Sequence, residues 1–249
     1  MIDLKAHMSK VLSIDPGSCL VTIEGGTTLK QLLEALAEEG SLSMPNLPSI
    51  TDITFAGLIA TGTHGTGIKN QVLASLVTEL EFVSGTGEVH TCTRHTNEQV
   101  FLAMLCSLGA LGIVTRLTLK LQPTYNLECY ERLLPVTEVL ANYERLLHEN
   151  DFFRFWWVPH TSQSVVWTAN RTQKEVCPPE SHFDVEKANQ RYEEKLAEAV
   201  ADPSKLPEIN REFSELFFGK ERRLVQTPEK ALTFDCLFPQ HTIEYSVPV

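Results

Sequence analysis

Residues 60–67 read A-T-G-T-H-G-T-G, with three glycines and three threonines in eight positions, inside a stretch from Ile53 to Thr78 that contains no carboxylate. Glycine brings main-chain N–H groups close to a ligand because no Cβ intervenes. Successive N–H groups in a turn form a concavity suited to anions, and threonine hydroxyls add donors. The run therefore reads in two ways, as an ordinary Gly/Thr turn or as a cradle for a phosphate-bearing molecule. Its glycines fall at Gly62, Gly65 and Gly67, so neither the dinucleotide fingerprint G-x-G-x-x-G nor a Walker-type G-x-x-x-x-G-K-[ST] is present. A nucleotide held here is held in neither the Rossmann nor the ATPase manner.

Charge narrows the candidate ligands. A formal net charge of −11 argues against nucleic acid and against adhesion to an anionic membrane. The 43% hydrophobic and 21% charged content is that of a soluble globular protein, and 249 residues suffice for one large or two smaller domains. Six scattered cysteines without C-x-x-C spacing read as free thiols in a reducing, intracellular compartment. Met1 to Lys10 lacks the apolar core of a signal peptide. The uncharged run Gln99 to Thr115 is short for a membrane span and is interrupted by Gly109 and Gly112, so it reads as a buried helix followed by a buried strand.

Periodicity orders the rest. Lys10–Asp15 and Leu20–Glu24 read as strands around Pro16-Gly17-Ser18. Thr27 is placed to cap a helix carrying Leu29, Leu32, Leu33 and Leu36 and ending at Gly40. Pro45 and Pro48 mark a loop leading into the Gly/Thr run. Val77–Val83 and Glu88–Cys92 flank a hairpin turn, Ser84-Gly85-Thr86-Gly87. A helix from Asn97 presents Val100, Phe101, Met104, Leu105 and Leu108, and a strand follows over Ile113–Leu121. Beyond Pro123 the pattern predicts a helix over Thr137–Glu149, a strand pair at Phe152–Val158 and Ser164–Asn170, and a charged, helix-prone region over Glu175–Glu221. The order is mixed α+β rather than βαβ alternation.

Other constellations carry less. His90, Cys92 and His95 are close in sequence, but the spacing is unusual for zinc and no fourth ligand is evident, so no metal site is expected. No G-x-S-x-G elbow occurs. The aromatics Phe152, Phe153, Phe155, Trp156 and Trp157 line a substrate pocket or form a strand buried on both faces, with core the favoured reading.

Five linked stretches resemble the sugar-lactone and alditol oxidase branch of the vanillyl-alcohol-oxidase-type flavoproteins. They are V-T-I-E-G-G-T-T-L from Val21, P-N-L-P from Pro45, the run Ala60–Gly67, Leu73–Val83 with Gly87, and L-G-A-L-G-I-V-T-R-L-T-L from Leu108. Arg154–Thr161 and Phe234–Pro248 are similar to parts of the same branch's substrate domain. The resemblance implies an α+β fold: the second half of a PCMH-type FAD-binding domain over residues 1–123, then part of a substrate (cap) domain over 124–249. It implies FAD as cofactor, contacted by Thr61, Gly62, Thr63, His64, Gly65, Thr66 and Gly67, with Asn70 to Leu73 continuing the lining and Gly112, Ile113 and Val114 running beside it. It also implies a sugar lactone or alditol as substrate, O2 or another electron acceptor, and a setting such as ascorbate biosynthesis, cytoplasmic or peripheral to the endoplasmic reticulum or mitochondrial membrane.

Two departures qualify the resemblance. Nothing in Met1–Asp15 resembles the family's G-H-S segment, whose histidine often bonds the flavin, and the chain ends before the family's H-W-[GA]-K region. The expectation is an internal piece of such an oxidase, with catalytic residues unassigned and little or no turnover alone. The competing expectation is a non-catalytic remnant or interaction module without flavin.

Overall fold

The computed structural model describes residues 3–177, 185–234 and 242–245, with side chains from 190 onward in the helix that begins at 185. Strands β1 (Val11–Asp15) and β2 (Leu20–Glu24) pair antiparallel around the predicted turn. Helix α1 (Leu29–Glu39) follows because its leucines recur on one face and all four are buried. Its N-cap is Thr28, one residue beyond the expected Thr27. Thr28 Oγ1 accepts from Gln31 N and the Gln31 side chain returns to Thr28 N, whereas the Thr27 hydroxyl donates to the Lys10 carbonyl. Gly40 ends the helix in the left-handed conformation, as predicted.

Strand β3 (Leu42–Ser43) leads to the proline loop. The chain does not pass from that loop straight into the Gly/Thr run: helix α2 (Phe55–Ala60) intervenes, capped by Thr54 Oγ1 accepting from Gly57 N. Strands β4 (Val77–Val83) and β5 (Val89–Thr93) form the expected hairpin. Helix α3 (Glu98–Met104) is shorter than its apolar pattern. Phe101 and Met104 are buried, but Val100 is exposed and Leu108, at 76% exposure with φ +52, lies past the helix in a loop. Strand β6 (Ile113–Lys120) completes a five-stranded antiparallel sheet in the order β1-β2-β6-β4-β5, and β7 (Gln122–Pro123) pairs with β3.

A second antiparallel sheet begins with β8 (Asn126–Pro135). The helix expected over Thr137–Glu149 divides at Asn142 into α4 (Val136–Ala141) and α5 (Tyr143–Glu149). Next come β9 (Phe152–Trp157), β10 (Gln163–Thr172), α6 (Val185–Ala201), α7 (Leu206–Phe218), β11 (Arg222–Gln226) and α8 (Pro228–Leu232). The strand order is β11-β8-β10-β9. Alternation along β9 puts Phe152 in the main core and Phe153 in a smaller cluster with Val139, Leu146, Leu147 and Val166. The aromatic run is thus core at its start and opens to solvent at its end, where Trp157 is 55% exposed. The main core crosses from one sheet to the other: Leu127, Cys129, Trp167 and Ala169 join the cluster built on Val21, Leu32, Phe101 and Leu117.

Of the stretch Phe234–Pro248, only Phe234 and 242–245 lie within the described residues. Among the described residues no helix is long and apolar enough to cross a membrane.

Candidate functional site

The Gly/Thr run leaves the C-terminal end of α2 as an irregular loop outside every sheet ladder. Its early amides are used locally: Gly62 N donates to Ile59 O and Thr63 N to Leu58 O, while the Thr63 carbonyl accepts from Leu73 N. From His64 through Lys69 the amides meet no acceptor among the described residues. A run of uncommitted main-chain donors is the property an anion cradle requires. The threonine hydroxyls contribute less than expected. Thr61 Oγ1 donates to Gly57 O and Thr66 Oγ1 to Phe153 O, so that among the described residues Thr63 is the threonine of the run whose hydroxyl meets no carbonyl acceptor.

Three segments hold this loop. On one side lies the proline loop, so close that a Cβ on Gly65 would overlap Asn46 Oδ1 and the Leu47 carbonyl oxygen. Asn46 is itself buried, with Oδ1 accepting from Leu47 N. The proline loop's position is set by Tyr125, just ahead of β8, whose Oη donates to Met44 O at 3.0 Å, and by Arg171 of β10, whose Nη2 donates to Pro45 O at 2.9 Å. Burial pushes the Tyr125 hydroxyl up to about 12, with Arg171 opposing, so it remains a donor. On the second side is the start of β9, where Gly67, at φ +96, faces the Asp151 carbonyl oxygen. Asn70 Nδ2 closes the turn onto Thr66 O at 2.9 Å, and Lys69 Nζ lies 3.8 Å from Asp151 Oδ1.

The third side is the stretch between α3 and β6. Leu108 N donates to Ala60 O, the last carbonyl of α2, and Cys106 Sγ approaches the Cβ position of Gly62. Gly112, Ile113 and Val114 lead from that stretch into β6, where Ile113 and Val114 pair with Val83 and Phe82 of β4. Gly112 fits against the Val83 carbonyl, and the Val114 carbonyl sits where a Cβ on Gly25 would be, beneath Ala56 of α2. The structure therefore brings the Gly/Thr run and the start of β6 to the two ends of one short helix. The Leu73 side chain is buried in the main core, and its N–H holds the Thr63 carbonyl of the loop.

His64 stands exposed on the loop with both ring nitrogens engaged, Nδ1 with Gly65 O at 2.8 Å and Nε2 with Glu244 Oε1 at 2.7 Å. The Gly65 carbonyl raises its pKa most, burial opposes, and Glu244 raises it further. Sequence reasoning missed Glu244 because it lies 180 positions away and no spacing signal joins the two. Among the described residues no cluster of His, Cys, Asp and Glu gathers to hold a metal ion. Cys92 is buried in the core with its thiol raised by desolvation, and His90 stacks on Phe82.

Comparison with known proteins bears on this geometry. Residues 1–93 match a family described as FAD binding domain, and residues 117–249 match D-arabinono-1,4-lactone oxidase. The chain is 31% identical over 243 residues to an L-gulonolactone oxidase of Scyliorhinus torazame, covering 97% of this chain and 55% of that protein. It is 32% identical over 237 residues to a D-arabinono-1,4-lactone oxidase of Candida albicans, covering 92% and 42%. The chain thus spans about half the length of these relatives. Among solved structures, a cholesterol oxidase from Brevibacterium sterolicum superposes with a TM-score of 0.70 at 20% identity, covering 86% of this chain and 45% of that one. At that identity the likeness is one of fold, and it agrees with the α+β, PCMH-type architecture. The motifs from Val21 to Leu119 and the match through the second sheet lead to one assignment: the chain belongs to the D-arabinono-1,4-lactone oxidase family.

Proposed function

We propose that this chain supplies the diphosphate-binding half of an FAD site and part of the adjoining substrate domain in an oxidoreductase acting on the CH–OH group of a sugar 1,4-lactone. The boundary between the two units is taken at Pro123, between the sheets. The observation that carries this reading is the run of amides from His64 to Lys69 uncommitted among the described residues, in a loop held by the proline loop, the start of β9 and the stretch between α3 and β6. Family membership supplies the cofactor and substrate class.

The residues present fit such a cofactor. The N–H groups of His64, Gly65, Thr66 and Gly67 would donate to the diphosphate, and glycine at 65 and 67 lets the loop pack against Asn46, Leu47 and Asp151, which hold those donors in place. The hydroxyl of Thr63 adds a donor, Thr61, Gly62 and Asn70 shape the loop's ends, and Gly112, Ile113 and Val114 would run beside the ring system. Bound flavin would accept hydride from the lactone's hydroxyl-bearing carbon. The protein's part on these residues is to hold the anion, keep the loop rigid against β9 and hold the Thr63 carbonyl through the Leu73 N–H. The electron acceptor is O2 or another oxidant, and the site of action is cytoplasmic or peripheral to a membrane.

The test is binding. Purified chain mixed with FAD and desalted is expected to retain the flavin's visible absorption and to quench its fluorescence. Chain that elutes colourless, with no quenching at any FAD concentration, would reject the cofactor reading and favour the flavin-free interaction module.

A further inference from the structure

Each nitrogen of the His64 ring faces a group that can only accept. Gly65 O is a carbonyl at 2.8 Å, and Glu244 Oε1, when ionised, is a carboxylate oxygen at 2.7 Å. A neutral imidazole has one N–H and one lone pair, so it satisfies one of these contacts and meets the other lone pair to lone pair. Only the imidazolium donates to both. The geometry thus selects the charged ring, and the raised pKa agrees with that selection.

The surroundings make the charge consequential. His64 begins the run of uncommitted amides, so an imidazolium here balances the Glu244 carboxylate, which a neutral ring would leave as a net negative charge beside those donors. The other charged groups described against this loop are engaged together. Lys69 Nζ and Arg171 Nη1 both lie near Asp151 Oδ1, at 3.8 and 3.7 Å. That leaves Glu244 as the carboxylate that faces the ring among the described residues.

We propose that Glu244 is a positioning residue for the cofactor cradle: it holds His64 as an oriented imidazolium, and the 242–245 segment thereby sets the pH range over which the loop binds a diphosphate. This rests on the flavin reading above, which names the ligand; the protonation of His64 does not. The signs follow from the contacts. Since the folded-state pKa of His64 lies above its unfolded value, the two hydrogen bonds are complete below the ordinary histidine range and are lost as pH rises through the raised value. Diphosphate affinity follows the same curve.

The experiment uses the whole 249-residue chain, wild type and the variants Glu244→Gln and His64→Gln. Glu244 is exposed, so its replacement leaves the core untouched. The titration of the His64 ring is followed by NMR without ligand, and the affinity for FAD and for ADP is measured from pH 5.5 to 9. In Glu244→Gln the midpoint of the His64 ring is expected to fall, and the midpoint of the affinity curve to fall with it. The two proteins then differ by about two- to fivefold in affinity at the pH between the midpoints, the scale of an exposed charge contact. In His64→Gln the pH step disappears. An unchanged His64 midpoint in Glu244→Gln overturns the proposal. So does a nucleotide affinity whose pH midpoint is the same in both proteins. Wild type that binds neither nucleotide at any pH, with His64 still shifted by Glu244, instead rejects the flavin reading and the proposed ligand together.

Discussion

At Gly67 two constraints coincide. Its φ of +96 excludes side chains from the conformation, and the Asp151 carbonyl occupies the place of a Cβ. Gly85, in the turn between β4 and β5, has ordinary backbone and nothing within 4 Å of a Cβ. Replacing Gly67 by alanine is therefore expected to cost about 1–3 kcal/mol, and Gly85→Ala little or nothing, in urea unfolding. Equal effects would mean that the loop is not held against β9. The presence of glycines here was legible in the sequence; their reasons were not. Gly65 is required by the proline loop and Gly67 by the second sheet, contacts that link residues far apart in the chain. His64 is the clearest case, because a lone histidine in a Gly/Thr run gives no sign of which carboxylate will face it.

Among the elements, the second sheet carries one lateral row whose chemistry the strand pattern did not announce. Arg222, Glu131, Trp167 and Arg154 lie side by side across β11, β8, β10 and β9. Each arginine reaches a helix end: Arg222 donates to Phe217 O of α7, and Arg154 to the Ala231 and Leu232 carbonyls of α8. Unpaired carbonyls at a helix C-terminus favour such cations. Glu131 lies between them, its carboxyl raised by burial against the pull of Arg222 and Arg154. Burial brings the Arg154 guanidinium down to about 10, and it lies over the Trp167 ring at 4.3 Å. Arg154→Met, of similar length, is expected to destabilise the protein by about 1–3 kcal/mol and to speed amide exchange at Ala231 and Thr233 more than within β8. Uniform acceleration would show that the arginine does not clamp α8. Strands β8 and β11 and helix α2 were not marked by the sequence. β8 mixes charged and apolar residues because its two faces meet different neighbours, and α2 is too short to display a period.

For the whole molecule, the two sheets do not have separate interiors. Phe152 on the edge strand of the second sheet is fully buried in the cluster that also holds Leu29, Phe101 and Leu117 of the first. A shared core predicts shared unfolding. Phe152→Ala is expected to cost about 3–5 kcal/mol and to lower a single transition seen alike by far-ultraviolet dichroism and tryptophan fluorescence. Wild-type curves that separate, with the fluorescence change alone moved by the substitution, would contradict a continuous interior.

What the sequence by itself determined about this protein is local and periodic: the β1–β2 and β4–β5 hairpins, the leucine face and glycine stop of α1, the strand at Ile113, the mixed α+β order and the glycine loop. Each follows from backbone preference or from burial of one face, and both are written in neighbouring residues. Only the tertiary structure decided which amides of that loop stay uncommitted, which carbonyls crowd its glycines, and that Glu244 meets His64. These depend on where distant segments return. Chain packing sets that return, because the buried apolar surface of two sheets must be closed by one common core.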